Sequence, residues 1–317
     1  MLIVFPDADP QLKEILTEYL LNPLEQIAEI RIYEGRPKTQ EEYINRVKDA
    51  DGILLGWSIP NEVIEECRHL KIISFTCIGA SNFIDLDFAA SRGIIVTNTP
   101  GYADNAVAEH ALSLMMVLAK NLKIHHENIV GGIWEQSKTS MELRGKTIGL
   151  IGLGGIGQRM AGLCNALGMN VICWTFNPNE DRARKLGVKF TSLKELLSQS
   201  DVVSLHLPYT KKTKKLLGER ELLLMKQESF LINTSRAELI DTQSLAEVLA
   251  LKQIAGAGID VFDEEPIAND NPLLGLSNVI LTPHMGFNTP EAGEEILKIS
   301  INNLVQFFNK NIQNIVN

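Results

Sequence analysis

Cysteine is scarce and unpatterned in this chain. Cys67, Cys77, Cys164 and Cys173 form no Cys-x-x-Cys pair and no Cys/His spacing of the kind that holds zinc. Each lies in an apolar context and reads as a buried thiol, which sets aside a disulfide framework and a metal finger. Long apolar runs are missing too: the stretch 111–119 falls well short of the ~20 residues that cross a bilayer. The start Met1-Leu2-Ile3-Val4-Phe5-Pro6 lacks the basic segment of a secretory signal, so a cytoplasmic chain with no membrane partner is expected. Clustered positive charge is absent apart from Lys211, Lys212, Lys214 and Lys215, which read as a solvated loop. With a formal net charge of -9 and no basic tail, a nucleic-acid partner is not expected. No G-x-S-x-G elbow marks a serine hydrolase, and no solenoid period or low-complexity linker interrupts the chain.

What is present is a regular β/α alternation. The 317 residues, 45% hydrophobic and 22% charged, suffice for two domains, each with its own core. Short β-branched runs at 2–5, 29–33, 52–56, 71–76 and 93–97 read as strands with amphipathic stretches between them. An apolar pattern over 106–122, free of internal Gly or Pro, predicts one long helix. A second series follows, with strands at 147–151, 170–174, 201–207, 230–233, 257–261 and 278–281 and helices at 156–167 and 192–198. Ser192 with Glu195 has the order of a capping box, and Thr289-Pro290 that of a capped last helix. Both halves are therefore predicted as α/β, built on parallel sheets.

Gly152-Leu153-Gly154-Gly155-Ile156-Gly157 matches G-x-G-x-x-G between a predicted strand and a predicted helix. In such a turn Gly152 permits the tight bend, Gly154 lets backbone approach a pyrophosphate, and Gly157 allows close packing of helix on strand. A pyrophosphate would then meet the free N–H groups and positive dipole of the helix N-terminus. The following strand ends Trp174-Thr175-Phe176-Asn177 without the acid that usually reads a ribose hydroxyl. Thr175 can bond a hydroxyl, while Asn177, Arg182 and Arg184 can receive a 2′-phosphate, so NAD and NADP both stay open.

Three residues at predicted strand ends supply the chemistry of 2-keto acid reduction. Arg236 can hold a carboxylate through paired hydrogen bonds, His284 can give a proton near neutral pH, and Glu265 can hold the His284 ring and favour its charged form. Taken singly, each has a plainer reading: a surface Arg, a loop Glu, a core His. Their shared place just past strand ends, where open parallel sheets bind ligands, is what sets them apart. His206 ends a strand before Pro208 and can line a cofactor cleft; His110 falls inside the long helix.

Over nearly its whole length the chain resembles the D-isomer-specific 2-hydroxyacid dehydrogenase family. The resemblance is carried by Asn98-Thr99-Pro100-Gly101 with Val107-Ala108-Glu109, by Leu143-Arg144-Gly145-Lys146-Thr147 before the glycine loop, and by His206-Leu207-Pro208. Asn233-Thr234-Ser235-Arg236, Gly258-Ile259-Asp260-Val261-Phe262 through Glu265-Pro266, and Thr282-Pro283-His284 complete it. It implies a Rossmann NAD(P)-binding domain, 99–285, inserted in a flavodoxin-like substrate domain, 1–98 with 286–317, both doubly wound parallel sheets. It also implies a small 2-keto or D-2-hydroxy acid substrate and a homodimer formed through the long helix after Pro100. On this reading Arg236, Glu265 and His284 are catalytic. The cofactor falls to Gly152, Gly154, Gly155, Ile156, Gly157, Thr175, His206, Pro208, Thr213, Thr234, Ser235, Asp260 and Gly286, with Asp260 on the nicotinamide carboxamide. Ile78, Gly79 and Ala80 would present backbone N–H groups to the substrate carboxylate.

The chain departs from the family pattern at three places. Ala237 replaces the usual Gly after the Arg, Gly79-Ala80-Ser81-Asn82 stands where Gly-x-Asp-Asn is common, with one residue more, and Thr175 replaces the acid. The end at Asn317 is expected to leave no regulatory domain of the long phosphoglycerate dehydrogenase kind. Two other functions suit the same architecture: a dinucleotide-sensing co-repressor, and a phosphite or formate type of dehydrogenase.

Overall fold

The computed structural model describes residues 1–317, the side chain of Gln11 excepted. The chain forms two compact units: residues 1–103 with 288–317, and residues 104–287. Asn98 and Thr99 stay with the first unit because Thr99 N donates to Cys77 O and Asn98 O accepts from Asn303 Nδ2.

Unit 1 is a five-stranded parallel sheet: β1 (Leu2–Ala8), β2 (Glu29–Glu34), β3 (Gly52–Leu55), β4 (Ile72–Phe75) and β5 (Ile95–Thr97), in the order β2-β1-β3-β4-β5. This is the flavodoxin-type winding. β3 and β4 are buried at every position, as strands covered on both faces must be. The helices are α1 (Pro10–Ile15), α2 (Glu18–Glu25), α3 (Gln40–Val47), α4 (Asn61–Glu65) and α5 (Leu86–Ser91). The last helix of the chain, Pro290–Phe308, belongs here as well. Its Ile296, Leu297, Ile301 and Leu304 complete a core with Ile3, Phe5, Leu54 and Ile72, and Ser74 Oγ donates to Ser300 O.

Unit 2 holds a seven-stranded parallel sheet: β6 (Thr147–Ile151), β7 (Asn170–Trp174), β8 (Lys189–Phe190), β9 (Val202–Leu205), β10 (Phe230–Asn233), β11 (Gly256–Ile259) and β12 (Val279–Leu281). Its order, β12-β11-β10-β9-β6-β7-β8, reverses direction between β6 and β9. That is the doubly wound dinucleotide arrangement, whose crevice opens at the carboxyl ends of the strands beside the reversal. The helices are α6 (Asp104–Ala119), α7 (Leu122–Val130), α8 (Gly155–Ala166), α9 (Glu180–Leu186), α10 (Leu193–Gln199), α11 (Glu219–Leu222) and α12 (Thr242–Ala250), and the terminal helix is α13. The expected capping box at Ser192 and the Thr289 cap with Pro at the first turn are both formed. The long helix expected over 106–122 is α6, which starts two residues earlier and ends at Ala119, where Asn121 takes a left-handed conformation (φ 51°) and a further helix, α7, begins. No helix among the described residues is long and apolar enough to cross a membrane, and all four cysteines are free.

Gly149 sits in the middle of β6, where an added Cβ would lie 2.3 Å from Ser200 Oγ and 2.5 Å from Leu196 Cδ2. Gly149→Ala is therefore expected to destabilise unit 2 by about 1–3 kcal/mol through overpacking. A lower denaturation midpoint with an unchanged m value is the expected reading.

Candidate active site

The site in unit 2 begins where β6 ends. Gly152 has φ +107°, and a Cβ there would lie 2.4 Å from His206 O; a Cβ on Gly157 would lie 2.4 Å from Gly152 O. Only glycines let β6 turn directly into α8. Gly154, by contrast, would point a Cβ into open space, so its surface is free for a ligand. The first N–H groups of α8 have no acceptors within the helix and face that space with the positive end of the dipole. At Gly155 a Cβ would overlap Asp104 Oδ2 of α6, so this position serves packing between α6 and α8.

The neighbouring strand ends carry polar atoms left over by the fold. His206 is buried beyond β9, its Nε2 3.0 Å from Ser204 Oγ and its Nδ1 without a partner. Burial pushes its pKa down to about 4, so the ring is neutral. Thr234 Oγ1, beyond β10, is likewise buried and unpartnered. Open space over Gly154, free helix N–H groups and these two orphaned atoms fit a dinucleotide. Thr213 and Ser235 are differently placed: Thr213 Oγ1 donates to Pro208 O and accepts from Thr210 N, and Ser235 Oγ donates to Leu205 O. Their hydroxyls hold the loop and strand end together.

At the end of β7, Thr175 Oγ1 accepts from Asn177 N, and Arg182 Nη2 donates to Asn177 O. Arg182 Nε is buried without a partner, whereas Arg184 is tied to Asp181 at the surface. The turn 174–179 carries no carboxylate.

Two of the three expected catalytic residues are brought together. His284 Nδ1 lies 2.7 Å from Glu265 Oε2, and Glu265 Oε1 accepts from Phe262 N at 3.0 Å, which fixes the carboxylate. Both side chains are a little over one third exposed. Arg236 begins the turn after β10, where Asn233 Nδ2 donates to its carbonyl; its own Nη1 donates to Ser235 O, and it makes no contact with the pair. Ala237 is buried in the 3-10 turn that follows. His284 adopts φ +50°, a conformation costing about 1–3 kcal/mol for a residue with a side chain.

What holds that conformation was not visible in the sequence. Asp260, buried at the end of β11, receives Thr282 Oγ1 at 2.6 Å and Met285 N at 3.0 Å on Oδ1, and Gly286 N at 2.9 Å on Oδ2. His110 of α6 approaches the same Oδ1 at 3.3 Å and Thr282 Oγ1 at 3.0 Å. These donors outweigh burial and lower the Asp260 pKa, so it is ionised. A weak signal did exist for His110: it lies four residues before Leu114, on the face of α6 that packs against the sheet.

In unit 1, Ile78, Gly79 and Ala80 follow β4. Ala80 N donates to Ile78 O, and Asn98 Nδ2 donates to Ile78 O. The N–H groups of Ile78 and Gly79 donate to no group among the described residues. No group of three or more His, Cys, Asp or Glu side chains among the described residues is placed to hold a metal ion.

Residues 112–286 match the family described as D-isomer specific 2-hydroxyacid dehydrogenase, NAD binding domain. A glyoxylate reductase of Thermococcus litoralis is 37% identical over 83% of this chain and 82% of its own. A D-3-phosphoglycerate dehydrogenase of Methanocaldococcus jannaschii is 38% identical over 87% of this chain, which spans only 53% of that relative's length. Among solved structures, an acyclic imino acid reductase in complex with NADPH and D-Arg superposes with a TM-score of 0.85 at 32% identity, covering 100% of both chains. The chain belongs to the D-isomer-specific 2-hydroxyacid dehydrogenases. It is an NAD(P)-dependent oxidoreductase that moves a hydride between the dinucleotide and a 2-keto or D-2-hydroxy acid.

The buried His206 gives unit 2 a pH dependence of definite sign. Its folded pKa, about 4, lies below the 6.5 of an unperturbed ring, so protons favour the unfolded chain. Its contribution is complete above pH 6.5 and lost as pH falls towards 4, amounting to up to about 3 kcal/mol. Denaturation midpoints at pH 7.5 and 4.5 measure it, and His206→Gln is expected to narrow their difference; an equal difference in the variant refutes the assignment.

Proposed function

We propose that this protein reduces a small 2-keto acid such as glyoxylate to its D-2-hydroxy acid, and that it accepts NADPH at least as well as NADH. The observation that carries the reading is the Glu265–His284 pair, 2.7 Å apart, past strand ends of the sheet that bears the dinucleotide loop.

The bound dinucleotide supplies the hydride. Its pyrophosphate would be held at Gly154 and the start of α8, by Gly155, Ile156 and Gly157. His206, Pro208 and Thr234 would line its cleft with Thr213 and Ser235 behind, while Asp260 with Gly286 would hold the nicotinamide end. Arg182 would receive a 2′-phosphate beside Thr175, where no carboxylate would repel it. Glu265 holds the His284 ring through Nδ1, which leaves Nε2 to hand a proton to the carbonyl oxygen as hydride arrives at the carbon. Arg236 binds the substrate carboxylate and polarises the carbonyl, turning away from Ser235 O to do so. The unspent N–H groups of Ile78 and Gly79, beside Ala80, are suited to a carboxylate. Residues 1–103 with 288–317 act as the substrate domain and residues 104–287 as the cofactor domain.

A second copy of the chain covers the apolar surface that α7 and the segment after it leave exposed, where Val130 is 74% and Trp134 79% accessible with Leu122, Ile129 and Ile133 alongside. The unpaired cysteines suit a reducing compartment such as the cytoplasm.

Two measurements test this reading. Purified protein with NADPH or NADH and a panel of 2-keto acids is expected to oxidise the cofactor. His284→Ala should lower kcat by about 10²–10⁴ while leaving cofactor Kd within about twofold. A folded, cofactor-binding sample that turns over no 2-keto acid contradicts it. Light scattering should give twice the mass of one chain, reduced to one chain by Trp134→Glu with Val130→Glu.

A further inference from the structure

We propose that His110 and Thr282 are positioning residues for His284, acting through Asp260. The inference rests on the reading of His284 as the proton donor.

His284 is flanked by anchors on both sides. Before it, Thr282 N donates to Ile259 O and the Thr282 hydroxyl to Asp260 Oδ1; after it, Met285 N and Gly286 N donate to the two oxygens of the same carboxylate. Between them His284 N donates to Thr282 O, which closes the turn at φ +50°. The His284 backbone is thus stretched over a single buried anion, and whatever orients that anion orients His284.

His110 orients it. A threonine hydroxyl has one proton, and Thr282 gives it to Asp260, 2.6 Å away. Thr282 Oγ1 therefore accepts from His110 Nε2, and the His110 proton resides on Nε2. The opposite tautomer would aim a lone pair at Asp260 Oδ1, 3.3 Å away. One N–H from α6 thus reaches both the hydroxyl and the carboxylate. Packing reinforces the polar contacts: a Cβ on Gly286 would lie 3.2 Å from His110 Cδ2 and 3.1 Å from Asp260 Oδ2, so the loop lies directly against the His110 ring. None of these groups gives the substrate its proton. Their work is to hold a strained residue between two pins.

The experiment compares removing the donor with restoring it. His110→Leu and Thr282→Val are expected to lower kcat at least about tenfold while Kd for NADPH, read by fluorescence titration, stays within about twofold. His110→Gln and Thr282→Ser, which restore an N–H and a hydroxyl, should recover most of the loss. Thr282→Val, close to threonine in shape, carries the test if His110→Leu does not fold. Wild-type kcat in His110→Leu and Thr282→Val overturns the positioning role, as does a His110→Gln enzyme no better than His110→Leu. A His284→Ala control separates the two levels. If it keeps wild-type kcat, the proton-donor reading falls; if it loses about 10²–10⁴ in kcat while His110→Leu and Thr282→Val match wild type, only the present inference falls.

Discussion

The carboxyl edge of the seven-stranded sheet depends on one close passage of backbone over backbone. Where β6 leaves the sheet, the chain at Gly152 runs beneath His206 O, and α8 at Gly157 comes down on Gly152 O with no side chain between. That approach brings the start of α8 to the sheet edge with its N–H groups outward, and it buries His206 deeply enough to keep the ring neutral. A methyl group at either glycine would separate helix from strand. The helix N-terminus, the orphaned atoms of His206 and Thr234, and the open face of Gly154 would then no longer share one surface.

A second constraint organises the other side of the edge. Asp260 is a buried anion, and a buried charge persists only when hydrogen-bonded. Here the bonds that satisfy it come from the loop that presents His284 and from α6. The cost of burying the charge and the cost of holding His284 at positive φ are thereby offset by the same contacts, a common pattern where geometry matters more than stability. Glu265 receives similar treatment on a smaller scale, with one oxygen held by Phe262 N and the other turned to His284.

How much of this could be read from the amino acids varied with the range of the signal. Strands announced themselves through β-branched runs, and the capping residues Ser192, Glu195 and Thr289 marked helix starts because caps are local chemistry. The glycine loop was legible because its three glycines fall at a fixed spacing within six residues, although His206, which crowds Gly152, lies far along the chain. Glu265 and His284 stood out by following strands, although nothing in the sequence gave their 2.7 Å separation. The end of α6 at Ala119 was read three residues late, since neither Gly nor Pro marks it and Asn121 in the left-handed conformation is its only local sign. His110 was passed over for a different reason: its partners Asp260 and Thr282 lie 150 and 172 residues away, and no periodicity encodes contacts of that range. Thr213 and Ser235 were hidden differently, because the same hydroxyl that can meet a ligand is spent on nearby backbone, at Pro208 and Thr210 for Thr213 and at Leu205 for Ser235.

The placement of α13 has a consequence for how the molecule is made. Leu297 and Leu304, near the end of the polypeptide, fill the core behind Ile3 and Phe5 near its beginning, whereas the residues of unit 2 are contiguous. During synthesis the first hundred residues emerge with that half of their sheet uncovered and must wait for nearly two hundred more before the covering helix leaves the ribosome. Unit 2 can complete its core in the interval. The strands that begin the chain are thus the last to be sealed, and in the nascent protein they are the surface most in need of protection from wrong partners.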